Sequence, residues 1–240
     1  MITKPKYSLV IPCYNEEGNI ERLVKKCKKL FKKNIFEVVF VENGSTDNSL
    51  NILKNNLKDI QNFKLIKVTK NRGIGYGIIK GLKNSNGDII GWTHGDLQTD
   101  PSDVKKAFHL SKRFQGDFLI KGKRLLKNRS ASEIFFTFGL AIFESILFTK
   151  NFWEINAQPN IFTRNFFLKW GNPPFDYNID LYCYNKALQN GIFIKRFEVE
   201  FKKRFSGKSK WNRNVFVRLI FILKTIIYSL KLRFVKDANN

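Results

Sequence analysis

Cysteine, proline and acidic residues are all scarce in this sequence of 240 residues. The three cysteines, Cys13, Cys27 and Cys183, form no Cys-x-x-Cys pair and leave an odd count, which argues against a disulfide framework and a structural zinc site. Such cysteine usage is typical of a reducing cytoplasm. The sequence also lacks any Pro-, Gly- or Ser-rich tract that would mark a linker. We therefore expect one globular domain at residues 1–212, followed by an apolar and basic helix at residues 213–240.

Acidic residues number only 20 against 43 lysines and arginines, so the formal net charge is +23. A surface this basic attracts polyanions such as nucleic acid, anionic lipid headgroups and phosphorylated substrates. At 43% hydrophobic and 15% aromatic residues, the chain holds enough apolar material for a core, which excludes a disordered basic tail. The basic residues are spread along the whole chain without a recognition-helix motif. A nucleic-acid-binding protein is therefore the less favoured hypothesis.

No uninterrupted apolar run reaches the roughly 20 residues of a membrane-spanning helix. The run at 134–149 contains Glu144, and the run at 215–230 contains Arg218 and Lys224. The first run fits a buried helix and a helix lying in a bilayer interface equally well. The second favours the interface, because basic side chains that follow it can reach anionic headgroups. Since the N-terminus runs directly into a strand pattern, we expect no signal peptide and a protein peripheral on the cytoplasmic face of the membrane.

Strand and helix patterns alternate along the first half of the sequence. Buried-strand patterns occur at 7–12, 36–41, 63–68 and 88–92, and helical spacing occurs at 19–31, at 48–57 and from 71 onward. The second half predicts strands at 117–121 and 193–201, helices at 133–149, 177–189 and from about 214, and a short strand or loop at 158–164. This order predicts an α/β fold: a mostly parallel, Rossmann-like sheet with helices on both faces and a C-terminal amphipathic helix. Ligands bind such sheets at the carboxyl ends of the strands, where polar clusters occur in this sequence.

The segment His94-Gly-Asp96-Leu-Gln98 follows the fourth predicted strand. Oxygen atoms of Asp96 and Gln98, beside the imidazole of His94, can ligate a divalent cation while a nucleotide diphosphate completes its coordination. A capped turn before Pro101 is the alternative, and the pattern alone favours it.

Two further segments combine glycine with basic residues. The run Asn71-Arg-Gly-Ile-Gly-Tyr-Gly77 has neither the position nor the spacing of a dinucleotide-binding fingerprint. Its glycines and the following Gly81 serve either ligand contact or packing between helix and sheet. The loop Arg204-Phe-Ser-Gly-Lys-Ser-Lys-Trp211 offers guanidinium, ammonium and hydroxyl donors, which a diphosphate leaving group requires. A solvated run of charges is the alternative for this loop.

Four motifs, in this order, resemble those of family 2 glycosyltransferases with the GT-A fold. They are Val10-Ile-Pro-Cys-Tyr-Asn-Glu-Glu-Gly-Asn-Ile20, Val41-Glu-Asn-Gly-Ser-Thr-Asp-Asn-Ser49, Gly87-Asp-Ile-Ile with His94-Gly-Asp-Leu-Gln-Thr-Asp-Pro101, and Arg204-Phe-Ser-Gly-Lys-Ser-Lys-Trp211. Four ordered motifs are far more specific than any one of them. The chain is most similar to the branch that contains dolichyl-phosphate mannosyltransferases and bacterial undecaprenyl-phosphate sugar transferases.

The resemblance implies roles for the matching residues. The residues expected to bind a GDP- or UDP-hexose donor are Pro12, Tyr14, Glu16, Glu42, Gly44, Asp96, Gln98, Arg204, Ser209 and Lys210. The residues expected to hold Mn²⁺ or Mg²⁺ are His94, Asp96 and Gln98. The residues expected to be catalytic are Asp96, Arg124, Arg204 and Lys210, with Arg124 meeting a phosphate.

The resemblance also implies a reaction, the inverting transfer of a hexose to the phosphate of a polyprenyl lipid, for cell-surface glycan or glycolipid synthesis. A lipid phosphate is anionic at neutral pH, so it needs positioning and charge screening more than a general base. If the acceptor were instead a glycan hydroxyl, a carboxylate base would be needed, with Asp176 and Asp180 as candidates. Both residues also fit the start of a helix.

Three positions depart from the family pattern. His94 stands where the metal motif usually has an aspartate, Glu42-Asn43 stands where the usual turn has two aspartates, and Asn156 stands where many relatives carry an aspartate. A nitrogen ligand at His94 would favour manganese over magnesium. The lack of an aspartate at Asn156 agrees with an acceptor that needs no general base.

Overall fold

Seven strands form one sheet in the computed structural model, which describes residues 4–127, 129–207 and 215–235. The strands are β1 (Tyr7–Cys13), β2 (Phe36–Asn43), β3 (Phe63–Val68), β4 (Ile89–Trp92), β5 (Phe118–Arg124), β6 (Asn160–Thr163) and β7 (Phe193–Val199). Their order across the sheet is β3-β2-β1-β4-β6-β5-β7. Within the described chain, β6 alone runs antiparallel to its neighbours, which confirms the prediction of a mostly parallel sheet.

Eight helices accompany this sheet in the same described part of the chain. They are α1 (Glu17–Leu30), α2 (Ser49–Leu57), α3 (Ile74–Lys83), α4 (Pro101–Ser111), α5 (Ala131–Phe148), α6 (Arg164–Leu168), α7 (Ile179–Gln189) and α8 (Val215–Phe234). The sequence prediction omits α4, although Asp100 caps it by accepting a hydrogen bond from the backbone nitrogen of Ser102 and Pro101 occupies its first turn. It also omits the single-turn helix α6.

Helices cover both faces of the sheet. Because alternate residues of the central strands point to opposite faces, each of these strands contributes to two apolar clusters. Leu9 and Ile11 of β1 lie in an apolar cluster with α1, α2 and α4, whereas Val10 lies in a second cluster with α3 and α7. A Cβ atom at Gly81 of α3 would lie only 2.3 Å from Val10 Cγ1. This glycine therefore serves close helix–sheet packing, one of the two roles expected for the glycine-rich segment.

Strand β5 continues to Arg124, three residues beyond its predicted end. The extension follows from pairing, because β5 and β7 remain in parallel register as far as the Arg124–Val199 pair. Strand β6 brings Asn160 to the same edge of the sheet, since it runs in the opposite direction. The carboxyl ends of β1, β2, β4 and β5 and the start of β6 thus form one polar edge.

Helices α5 and α8 lie side by side beyond this edge. A capping box at Ser130 and Glu133 begins α5. The two helices are joined by hydrogen bonds from Ser229 Oγ to Glu144 Oε1 (2.5 Å) and from an Arg218 nitrogen to Ser132 Oγ (2.9 Å). Within the described residues, α5 is the one helix that is long and apolar enough to cross a membrane, and 17% of it is buried against the rest of the protein.

Glu144 gives the contact between α5 and α8 a dependence on pH. Its side chain is fully buried, and Oε2 has no hydrogen-bond partner among the described residues. Burial raises the pKa of Glu144 from 4.5 to about 7, although the bond from Ser229 opposes the shift. Because the folded state then holds a proton that the unfolded state has lost, the contribution of Glu144 to the free energy of unfolding falls as the pH rises from about 4.5 to 7.

We expect Glu144→Gln to remove the pH-dependent contribution of Glu144 to the free energy of unfolding. The variant should exceed the wild type in free energy of unfolding by about 1–3 kcal/mol at pH 8, and the difference should shrink toward pH 5. Urea unfolding at the two pH values measures it, with the exposed Glu21→Gln on α1 as the control. An equal difference between variant and wild type at pH 5 and pH 8 would contradict the pKa assigned to Glu144.

Candidate functional site

Asp96 and Gln98 lie in the loop after β4 and share one cationic partner. The carboxylate of Asp96 is buried, and its Oδ2 accepts a hydrogen bond of 2.8 Å from Arg204 Nη2. Arg204 Nε donates to Gln98 Oε1 at 3.3 Å. The turn itself is fixed by a bond of 3.0 Å from the Gln98 backbone nitrogen to Asp96 Oδ1. A single guanidinium therefore bridges the two oxygen ligands expected for a cation.

The segment that carries Arg204 lies closely over this loop. The backbone nitrogen of Lys202 donates to the carbonyl oxygen of Gln98 at 2.8 Å, and Gln98 Nε2 donates back to the carbonyl oxygen of Lys202 at 3.2 Å. Further along, the carbonyl oxygen of Ser206 accepts from Asn19 Nδ2 at 3.2 Å. A Cβ atom at Gly18 would lie only 2.3 Å from Ser206 Oγ, so glycine at position 18 allows this close contact.

Glu16 brings a second carboxylate to Arg204. Its Oε1 lies 3.7 Å from Arg204 Nη1, and its Oε2 accepts a bond of 2.5 Å from Asn19. Burial raises the pKa of Glu16 to about 7, while Asn19 and Arg204 oppose the shift. Glu16, Asp96, Gln98 and Arg204, which the sequence predicts for one donor site, therefore meet in the structure.

The turn after β2 lies beside this group. Glu42 is buried, and its Oε1 accepts a hydrogen bond of 2.5 Å from the backbone nitrogen of Ser45. Ser45 Oγ in turn accepts from the backbone nitrogen of Asn15 at 3.1 Å, which joins the β2 turn to the loop after β1. Gly44 has a φ of 73°, a conformation that favours glycine, and a Cβ atom there would lie 2.4 Å from the backbone nitrogen of Asn71.

The remaining predicted donor residues fall at the same edge or outside the described chain. Pro12 lies in β1 opposite Val41, and Tyr14 follows that strand. Ser209 and Lys210, together with Lys208 of the same motif, lie outside the described residues, so their predicted roles stay predictions.

The Asp96–Gln98 pair fits a divalent cation by its chemistry. Mg²⁺ and Mn²⁺ bind carboxylate and amide oxygens, and here these oxygens already accept hydrogen bonds from the Arg204 guanidinium. Along the described chain, no cluster of three His, Cys, Asp or Glu side chains could hold a metal ion. A cation here would therefore take its other ligands from water or the donor diphosphate, or from His94 as predicted.

A buried polar cluster connects His94 with β5 and β6. Lys121 is fully buried and donates to Asn160 Oδ1 (2.7 Å) and to the carbonyl oxygen of Ala157 (2.9 Å). Asp180 Oδ1 accepts from Asn160 and Gln158, both at 2.7 Å. Burial raises the pKa of Asp180, against the lowering effects of Lys121 and His94, and burial lowers the pKa of Lys121 to about 8.

Asp176 and Asp180, the candidate general bases, lie just before α7 and in its first turn. Asp176 accepts hydrogen bonds from the backbone and side-chain nitrogens of Asn178, at 2.9 and 3.2 Å. Asp180 lies in the first turn of α7 and belongs to the buried polar cluster. The contacts of Asp176 agree with the helix-start interpretation, whereas the hydrogen bonds of Asp180 reach across to Asn160 and Gln158.

Arg124 lies apart from Asp96 and Arg204, in a second charged group. Its Nε donates to Glu154 Oε2 at 2.5 Å, and Arg129 Nη1 donates to Glu154 Oε1 at 2.7 Å. The side chains are enclosed: Arg124 is 13% exposed, Arg129 is 2% exposed and Glu154 is 4% exposed. Burial alone would raise the pKa of Glu154, but the two arginines outweigh burial and hold the pKa below its ordinary value. One ionised carboxylate therefore joins two guanidinium groups.

Sequence reasoning missed Arg129 and Glu154. Arg129 directly precedes Ser130, and the Ser-x-x-Glu capping box there marks the start of α5, so a search for basic residues beside helix starts could have found it. Glu154 lies in irregular chain between α5 and β6 and carries no sequence signal of its own. Its link to Arg124 and Arg129 depends on tertiary structure.

The family model described as Glycosyl transferase family 2 matches residues 8–134. The chain is 34% identical over 107 residues to the undecaprenyl-phosphate 4-deoxy-4-formamido-L-arabinose transferase of Proteus mirabilis, which covers 42% of this chain and 32% of the relative. It is 30% identical over 122 residues to the dolichol-phosphate mannosyltransferase of Pyrococcus furiosus, covering 51% of this chain and 34% of the relative. The aligned part is thus about a third of the length of these curated relatives.

A crystal structure of glucosyl-3-phosphoglycerate synthase from Mycobacterium tuberculosis resembles the whole fold. That structure contains Mn²⁺, UDP-glucose and phosphoglyceric acid. It covers 98% of this chain and 81% of the synthase, with a TM-score of 0.75 and 16% sequence identity. At this identity the likeness shows the GT-A fold, in agreement with the sequence prediction.

Proposed function

Because this chain belongs to glycosyl transferase family 2, we propose that it transfers a hexose from a nucleotide-sugar to the phosphate of a polyprenyl lipid at a membrane surface. The donor would be a UDP- or GDP-hexose and the acceptor a dolichyl or undecaprenyl phosphate. The names of the two curated relatives, a transferase for each kind of lipid phosphate, support this acceptor class.

One observation carries the proposal: a pair of enclosed arginines lies at the base of an exposed apolar helix. Arg124 ends β5, and Arg129 lies two residues before α5 begins. Phe135, Ile142 and Ile146 are exposed on α5 at spacings of seven and four residues, which places them along one helical face. An acceptor that combines an anionic head with an apolar chain matches both features.

On the donor side, Glu16, Glu42 and the turn at Gly44 would hold the nucleotide, and Arg204 would bind its diphosphate. A divalent cation, Mn²⁺ or Mg²⁺, would be held by Asp96 and Gln98, with His94 as a further candidate ligand, and would supply positive charge next to the diphosphate. Arg204 now pairs with Asp96 and Gln98, so it must turn from these oxygens to the phosphates when the donor binds.

The proposed reaction is an in-line displacement at the anomeric carbon. An oxygen of the lipid phosphate forms a bond to this carbon while the bond to the donor diphosphate breaks, and the electron pair leaves with the nucleoside diphosphate. Arg204 would stabilise the charge that develops on the leaving diphosphate, and Arg124 would hold the attacking phosphate. No proton has to be removed, which agrees with the engagement of Asp176 by Asn178 and of Asp180 by Asn160.

The apolar surface of α5 and α8 would place the site at the membrane. On α8, Phe216, Leu223 and Ile227 are exposed, and Lys224, Lys231 and Arg233 are exposed on the same helix. Basic side chains attract anionic headgroups by about 1 kcal/mol each when they lie near the surface. The proposed location is the cytoplasmic face, where nucleotide-sugars are available.

A donor screen tests the proposal. Purified protein with Mn²⁺ or Mg²⁺ and vesicles containing undecaprenyl phosphate should form a radiolabelled glycolipid from at least one UDP- or GDP-hexose. Undecaprenol, which lacks the phosphate, should remain unlabelled, because Arg124 and Arg129 would have no anion to bind.

Two outcomes would contradict this function. Labelling of a soluble glycan in place of the lipid would support a hydroxyl acceptor, with Asp180 as the candidate base. Preference for an oligonucleotide over anionic vesicles at matched salt would instead support the nucleic-acid hypothesis that the charge of +23 allows.

A further inference from the structure

Glu154 has an unusual backbone conformation that suits the contact with both arginines. Its φ of 45° lies in the left-handed region, where a residue with a side chain is strained. The neighbouring chain is fixed on both sides: an Arg196 guanidinium nitrogen donates to the carbonyl oxygen of Trp153, and Lys121 donates to that of Ala157. The segment therefore holds the Glu154 carboxylate in one place.

The two arginines depend on this carboxylate in different ways. Arg129 is further held by a bond of 2.7 Å from Nη2 to Thr137 Oγ1. The guanidinium carbon of Arg124 also lies 5.4 Å from the centre of the Phe201 ring. Within the described part of the chain, loss of the carboxylate would leave Arg124 this weak ring contact, and the two enclosed guanidinium groups would lose the anion that joins them.

The charges in this group do not cancel. Arg124 and Arg129 carry two positive charges and Glu154 carries one negative charge, so the group retains one positive charge in an enclosed place. A buried net charge is costly unless a partner of opposite charge completes it. A phosphate monoester carries about 1.5 to 2 negative charges at pH 7, and a diphosphate ester carries more.

On the lipid-phosphate acceptor proposed above, we infer that Glu154 is a positioning and specificity residue. It aligns Arg124 and Arg129 as one anion site, and it lowers the charge of that site so that a prenyl monophosphate binds in preference to a prenyl diphosphate. A diphosphate would bring excess negative charge into a site that offers one net positive charge. A monophosphate leaves less charge uncompensated there.

The test compares Glu154→Gln with Glu154→Asp and with a control, Glu198→Gln. Gln removes the charge and keeps the length of the side chain, whereas Asp keeps the charge with a shorter reach. Glu198 lies on β7, is exposed, and approaches Lys123 at 3.9 Å, outside the arginine group. Calorimetric titration with farnesyl phosphate and farnesyl diphosphate, in saturating UDP or GDP to fill the donor site, gives the ratio of the two affinities.

Wild type and Glu198→Gln should prefer the monophosphate. Glu154→Gln should bind the monophosphate at least fivefold more weakly, and its preference over the diphosphate should fall at least tenfold, with nucleotide affinity unchanged. Glu154→Asp should bind both ligands more weakly and keep the ratio within threefold. If Glu154→Gln fails to fold, Glu154→Asp still tests the inference, because a lost preference in this charged variant would overturn it.

Failure of the inference differs from failure of the proposed function. If wild type binds farnesyl phosphate and Glu154→Gln keeps the same ratio of affinities, the inference about Glu154 is wrong and the acceptor class stands. If wild type binds nucleotide but neither farnesyl ligand, the proposed acceptor class is wrong, and the inference falls with it.

Discussion

Replacing Asp96 by asparagine is expected to lower the rate of sugar transfer by about 100- to 1000-fold. Asp96 supplies the negative charge at the end of β4, where it pairs with Arg204 and where a cation is proposed. Asparagine keeps the size of the side chain but removes that charge, which weakens charge stabilisation at the leaving diphosphate. Loss of one such electrostatic contact costs about 3–4 kcal/mol in the transition state. Initial rates of glycolipid formation at saturating donor measure the effect.

Asp117→Asn is the matched control for this substitution. Asp117 also has a cationic partner, Lys169 at 2.6 Å, and accepts a bond from Thr163. It lies just before β5, at the opposite edge of the sheet from Asp96. The control should keep transfer within about threefold of wild type. Asp96→Asn should unfold within a few degrees of wild type, because Arg204 keeps Glu16 as a neighbour. Equal loss of transfer in both variants would contradict the assigned site.

The fold could be predicted from the sequence because its strands are short, apolar and separated by patterned helices. The first three strands agree with their predicted ranges to within two residues, since each is a buried run bounded by polar residues. The end of β5 could not be predicted in the same way. Residues 122–124 read Gly-Lys-Arg, and they are held in the sheet by pairing with residues of β7 that lie 75 positions later in the chain.

The grouping of the expected donor-binding residues was predictable for a related reason. Glu42 lies at the carboxyl end of a buried strand, Glu16 and Asp96 follow such strands, and the carboxyl ends of parallel strands meet at one edge of a sheet. The arginine group was not predictable, because Glu154 reaches Arg124 and Arg129 from irregular chain. The glycine-rich segment illustrates the same limit: Gly73 and Gly75 lie against the backbone at 174–176, a contact that no local pattern encodes.

Replacing Phe135 and Ile146 by serine is expected to weaken binding to anionic vesicles about 100-fold. These side chains are 73% and 74% exposed on α5, so they contribute little to the folded core. Each would contribute about 1.5 kcal/mol or more on entering the acyl boundary, and about 3 kcal/mol together corresponds to a factor of about 100. Serine has a helix propensity close to that of both residues, so α5 should persist. Vesicle flotation at fixed salt measures the change.

The control double variant carries Ile35→Ser and Leu168→Ser. Leu168 is 72% exposed and Ile35 is 43% exposed, and both lie near the opposite edge of the sheet, beside the start of β2 and the end of β6. An apolar side chain there would stay in water if α5 and α8 contact the bilayer, so the control should bind vesicles as wild type does. Equal loss in the two variants would mean that exposed apolar area, wherever it lies, drives adsorption. The pair α5 and α8 would then not be the membrane-binding surface, and there would be no reason to place Arg124 near a lipid phosphate.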